Sequence, residues 1–148
     1  MLRIVLILAA AINLWVFLVA LNKIKRDHKF YDNVNLFLVY VFGIFVWGDA
    51  LILSPFFIAA SIILYIINNA YLTLGVFSAY HFLRQGFEVV YWFLQQFSMK
   101  QEFRPPDRFF KFLKTDELHI IYQLLNFYKT VIWLVVMIIS FFYFFKSL

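Results

Sequence analysis

Apolar residues dominate three long stretches of the chain, Leu2 to Leu21, Val34 to Tyr80 and His119 to Phe145, and polar residues collect between them. A helix needs roughly 20 apolar residues to cross about 30 Å of hydrocarbon. The first and last stretches therefore each predict one membrane span, about 2–21 and 119–145, and the middle one is long enough for two. It contains Val46 to Pro55, VWGDALILSP, within a run from Val34 to Ile67 whose only charged side chain is Asp49.

That decapeptide decides how the middle stretch divides. If Ser54-Pro55 is a turn, the spans cover about 34–53 and 56–80, joined by a tight hairpin. Pro55 then begins a helix, where its missing N–H has no consequence. If the helix instead continues through Pro55, the turn falls at Asn68-Asn69 and the next span runs from Ala70 to Phe97. A single helix from Val34 to Ile67 would be about 51 Å long and would have to tilt strongly, so the hairpin at Ser54-Pro55 is the expectation.

From His81 onward the period changes. On a helical wheel His81, Arg84, Gln85, Glu88, Gln95 and Gln96 share one arc, and Phe82, Leu83, Phe87, Val90, Phe93 and Leu94 fill the rest. This predicts an amphipathic cytoplasmic segment over about 81–115, either lying along the inner interface with its apolar face in lipid or continuing the third span as a stalk against a neighbour, with its helix ending before Pro105-Pro106. The expected fold is thus all-α: one integral membrane four-helix bundle, 1–148, with a tight hairpin between spans two and three and an amphipathic helix before span four.

Composition agrees with the pattern. Of the 148 residues, 65% are hydrophobic and 23% aromatic, far above a soluble domain. The net charge of +5 does not point to nucleic acid, because the basic residues flank apolar spans. Lys23, Lys25, Arg26 and Lys29 follow the first span, and Arg84, Lys100, Arg104, Arg108, Lys111 and Lys114 precede the last. The positive-inside rule makes that side cytoplasmic and places both termini outside, in an inner or plasma membrane. The first span is read as uncleaved, since its apolar stretch exceeds a signal-peptide core and no small-residue cleavage site closes it. With no cysteine, disulfides, thiolate nucleophiles and cysteine-held metals are excluded.

Candidate chemistry is sparse. Asp49 is an ionisable group inside an apolar run, a functional-site hypothesis by default. Lys129 is the only charge within the last span and the natural partner for Asp49. Gln123, Asn126 and Thr130 recur with His119, Trp133, Met137 and Ser140 at spacings of three and four, so they mark a pore lining or a helix interface. His81, Arg84 and Glu88, with Arg104, Arg108, Lys111 and Lys114, suit a lipid headgroup or a partner protein. His81 and His119, expected near facing helix ends, form a minor haem alternative. No metal site or catalytic motif is found: GxSxG, HExxH, a P-loop and a dinucleotide fingerprint are all missing.

The function expected is that of a non-enzymatic, multi-span subunit of a homo- or hetero-oligomeric membrane complex. Its partners would be lipids and either copies of itself or a larger membrane protein, with no nucleic acid and no cofactor beyond lipid. The alternatives are an oligomeric ion or small-solute channel or transporter, and a haem- or quinone-linked electron carrier.

Overall fold

The computed structural model describes residues 1–28, 38, 41–44, 46–95, 97 and 118–148. Its elements are four helices: α1 (Leu2–Asp27), α2 (Trp47–Ile67), α3 (Ala70–Gln95) and α4 (Leu118–Lys146). The chain is therefore all-helical across these residues, and α1, α2 and the stretch Ile120–Lys146 of α4 are long and apolar enough to cross a membrane. It divides into two compact units, Met1–Thr73 and Leu74–Leu148.

In the first unit α1 packs along α2. The Arg3 guanidinium near the start of α1 lies 5.4 Å from the ring centre of Tyr65 near the end of α2, so the two helices run antiparallel. The inward face of α1 is Leu6, Asn13, Val16 and Ala20; that of α2 is Gly48, Ala50, Ser54, Phe57, Ser61 and Leu64. The α1 row, and the α2 row from Ala50 onward, advance by three, four or seven residues, the repeat of one helix face. Phe57 meets the ring of Phe42 edge-on at 5.1 Å. Ile4, Val5, Ile7, Leu8, Leu14, Trp15 and Leu18 of α1 all point outward, as do Ile52, Ile62, Ile63 and Ile66 of α2. Six of these ten inward residues are small or polar (Asn13, Ala20, Gly48, Ala50, Ser54 and Ser61), as helix interfaces in hydrocarbon favour.

The turn expected at Ser54-Pro55 is not there: both residues lie inside α2. The helix starts earlier and stops later because better signals exist at both ends. At its start Val46 N–H donates to Asp49 Oδ2 at 3.4 Å, which places an acid in the first turn, where the helix dipole favours it. At its end Asn68 takes the left-handed conformation, φ 54°, and its N–H bonds to Leu64 O at 2.8 Å. Asn69 Oδ1 then accepts the Leu72 N–H at 3.0 Å and caps α3. Pro55, in the ninth position of α2, forfeits one backbone bond without ending the helix. The span expected over 34–53 is thereby revised: 47–53 belong to α2, and most of 34–46 lies outside the described residues.

In the second unit α3 from Leu74 onward pairs with α4. The contacts fix an antiparallel register: a Cβ on Gly75 would sit 3.1 Å from the Phe141 ring, and one on Gly86 3.9 Å from the Thr130 methyl. The rings of His81 and Trp133 stack at 4.6 Å and 18°, and Trp92 meets Tyr122 at 5.5 Å. The boundary expected at Tyr80/His81 is also absent, since α3 runs unbroken to Gln95. Nothing at that point breaks a helix; what changes there is only which residue types fill the face turned to α4.

Candidate functional site

The inward face of α3 is Ser78, His81, Gln85, Glu88 and Trp92, all buried and spaced by three and four. Opposite it, α4 buries Tyr122, Asn126 and Ser140 and half-buries Lys129, Thr130 and Trp133. The two aromatic pairs, His81 with Trp133 and Trp92 with Tyr122, therefore bracket a polar stretch formed by Gln85, Glu88, Asn126 and Lys129. The polar arc read from the sequence is real, but its His81, Gln85 and Glu88 face α4 in place of water.

The hydroxyls in this unit are settled locally. Ser78 Oγ donates to Leu74 O, Thr130 Oγ1 to Asn126 O and Ser140 Oγ to Val136 O, each at 2.7 Å. Such bonds to the carbonyl four residues back let a hydroxyl sit on a buried helix face without a partner helix. The charges are settled between side chains. Arg84 Nη1 donates to Glu88 Oε1 across one helical turn, and the Glu88 carboxylate also acts electrostatically on Lys129. Among the described residues of the unit, the carboxylate acting on Lys129 is thus Glu88. Partial burial first, and Glu88 second, hold the Tyr91 hydroxyl above the ordinary tyrosine range.

Two buried polar atoms have no hydrogen-bond partner among the described residues of this unit, Gln85 Oε1 and Trp92 Nε1. Their residues are 5% and 8% exposed, so water does not reach them from the surface. An unmet buried donor or acceptor costs about 1–3 kcal/mol, which makes these two atoms the places where a further group is wanted. Glu88 is the only carboxylate side chain of the described part of the unit, against the cations Arg84 and Lys129 on the same seam.

The other candidates fall as follows. Asp49 is a capping acid, at the same end of the first unit as Lys23, Lys25 and Arg26 and not at an outer hairpin tip. Asn126 and Thr130 line the α3–α4 seam, and Gln123 flanks it. His81 and His119 are not brought together as a haem pair. His81 stacks on Trp133, and positions 119 and 133 lie fourteen residues apart, roughly 21 Å along α4. That expectation placed His81 at a helix end, whereas α3 continues for fourteen residues beyond it. Arg104, Arg108, Lys111 and Lys114 lie outside the described residues. Among those described, no three His, Asp or Glu side chains gather as metal ligands.

Trp92, Tyr122 and Trp133 carry more of the site than the sequence reading assigned them. Trp92 continues the three-four spacing of His81, Gln85 and Glu88, a signal that was legible, though an indole is easily read as lipid-facing. Comparison with protein-family models, with curated proteins and with solved structures finds no match to this chain.

Proposed function

We propose that this chain is a non-enzymatic, multi-span subunit of a membrane complex. The observation that supports the reading is the direction of its polar residues. Asn126, Thr130 and Ser140, which a pore built from several copies would need in its lumen, pack against α3 of the same chain. What remains outward is apolar and aromatic: Leu124, Phe127, Tyr128, Val131, Ile132, Val135 and Phe142 on α4, and Leu83, Phe87, Val90, Phe93 and Leu94 on α3. Such a surface suits lipid and the flank of another membrane protein. The basic residues after α1 and before α4 orient the chain with that side cytoplasmic and both termini outside.

The test is co-purification in mild detergent followed by cross-linking and mass measurement. A stable oligomer, or one stoichiometric partner, is the expected result. A monodisperse monomer with no partner overturns the reading.

The channel or transporter reading is favoured by one feature, the buried charge on the α3–α4 seam. Ionisable groups inside membrane helices commonly mark ion or proton pathways. Flux through liposomes containing the purified chain, lost on Glu88→Gln, would establish it; ion-tight liposomes would remove it.

A further inference from the structure

α3 carries His81, Arg84, Gln85 and Glu88 near its middle, and its composition falls short of that of α1, α2 and α4, the described helices apolar enough to cross a membrane. Taken alone, it has the make-up of an amphipathic helix that lies along the membrane surface. Its packing against α4 contradicts that placement.

The two helices meet at successive levels along most of their length. Gly75 faces the Phe141 ring, His81 stacks on Trp133, Gly86 faces Thr130 and Trp92 meets Tyr122. From Gly75 to Trp92 α3 rises about 26 Å, close to the roughly 30 Å of a hydrocarbon core. The facing residues of α4, from Tyr122 to Phe141, all lie within its apolar stretch Ile120–Lys146. Trp133 is the midpoint of that stretch, and His81, stacked on it, lies within two residues of the midpoint of α3. A helix lying flat on the surface would meet a membrane-crossing helix at one level only. This register therefore sets α3 at the same depth as α4 along its whole course.

The side-chain directions agree. Ser78, His81, Gln85, Glu88 and Trp92 are buried, and Arg84 pairs with Glu88 one turn away. Polar and ionisable groups in membrane helices are directed in this way, toward protein and toward each other. Leu83, Phe87, Val90, Phe93 and Leu94 point outward, a surface of the same kind as the one α4 exposes with Ile132, Val135 and Phe142.

We infer that α3 crosses the membrane beside α4 as a further span, its polar face sealed by α4 and its outer face in contact with lipid acyl chains. The inference rests on the multi-span part of the reading above and is independent of the subunit role, so a failed co-purification leaves it standing.

The experiment uses single-cysteine variants of the full chain, which has no cysteine of its own. Ala70→Cys, Phe87→Cys and Phe97→Cys each replace an exposed side chain, at the start, the middle and just past the end of α3. The probe is a membrane-impermeant maleimide, applied to intact cells and to inside-out vesicles made from them. Ala70→Cys should be labelled from one side only, and Phe97→Cys only from the other. Phe87→Cys should show loss of labelling from both sides and regain it once the membrane is dissolved in detergent. Labelling of Ala70→Cys and Phe97→Cys from the same side overturns the span, as does labelling of Phe87→Cys in the membrane at the rate of Phe97→Cys. If Ala70→Cys is the one reached from the cytoplasm, the span stands and the orientation given above is the part overturned.

Discussion

The two units of this chain bury polar residues in opposite ways. In the α1–α2 pair the buried polar side chains are small and neutral: Asn13, Ser54 and Ser61. Asn13 Nδ2 donates to Ala9 O at 2.9 Å, yet Asn13 Oδ1, Ser54 Oγ and Ser61 Oγ have no partner among the described residues. In the α3–α4 pair the hydroxyls bond back to their own helix, and the seam adds charge and aromatic stacking. Small unpaired groups serve close helix approach, since they are tolerated where bulk is not. A charged, bracketed seam is expensive to bury, and that expense is why it is the better place to look for a ligand.

The sharpest way to break the comparison is at Gly75. A side chain there meets the Phe141 ring, so Gly75→Val should overpack the second unit and destabilise it by about 3 kcal/mol. Unfolding in mixed detergent micelles measures this, and a change within ±0.5 kcal/mol would mean that the helix pair is loose. Next is Glu88→Gln, which removes the carboxylate that pairs with Arg84 and acts on Lys129. A loss of about 2 kcal/mol is expected in lipid-free detergent, below the roughly 3–5 of a fully buried pair because Arg84 keeps contact with solvent.

A smaller effect belongs to the His81–Trp133 stack. A double-mutant cycle of His81→Ala and Trp133→Ala should return a coupling of about 1 kcal/mol, and a coupling near zero would show that the rings merely fill space. The smallest effect separates the units most cleanly. Asn13→Ala in the first unit removes a buried acceptor with no partner among the described residues and adds no bulk, so it should change stability by no more than ~1 kcal/mol. If it destabilises as strongly as Glu88→Gln, Asn13 holds a polar contact of its own and the contrast between the units fails.

Much of this was legible along the chain. The all-helical class, the approximate positions of the first and last spans, and the three-four spacing of His81, Gln85, Glu88, Asn126 and Ser140 all follow from hydrophobic period and span length. Ser54-Pro55 misled because a proline is compatible both with a helix start and with a membrane helix interior, and local sequence does not choose between them. Here the choice came from competing caps. The acid at Asp49 and the left-handed Asn68 terminate the helix on either side more effectively than Ser-Pro divides it.

The sequence by itself determined that the chain carries segments long and apolar enough to cross a membrane and which residues share a helix face, because both are consequences of period and composition. Only the tertiary structure decided which way each face turns. The polar arc after Tyr80 suited either an interfacial helix or a stalk against a neighbour, and it became the buried side of a helix pair in which Gly75 leaves room for the Phe141 ring of α4. His81 and His119, close in the sequence-derived topology, were separated by the full remaining length of α3. Glu88 of α3 came to act across the seam on Lys129 of α4, a relation that no spacing rule within one helix could have given.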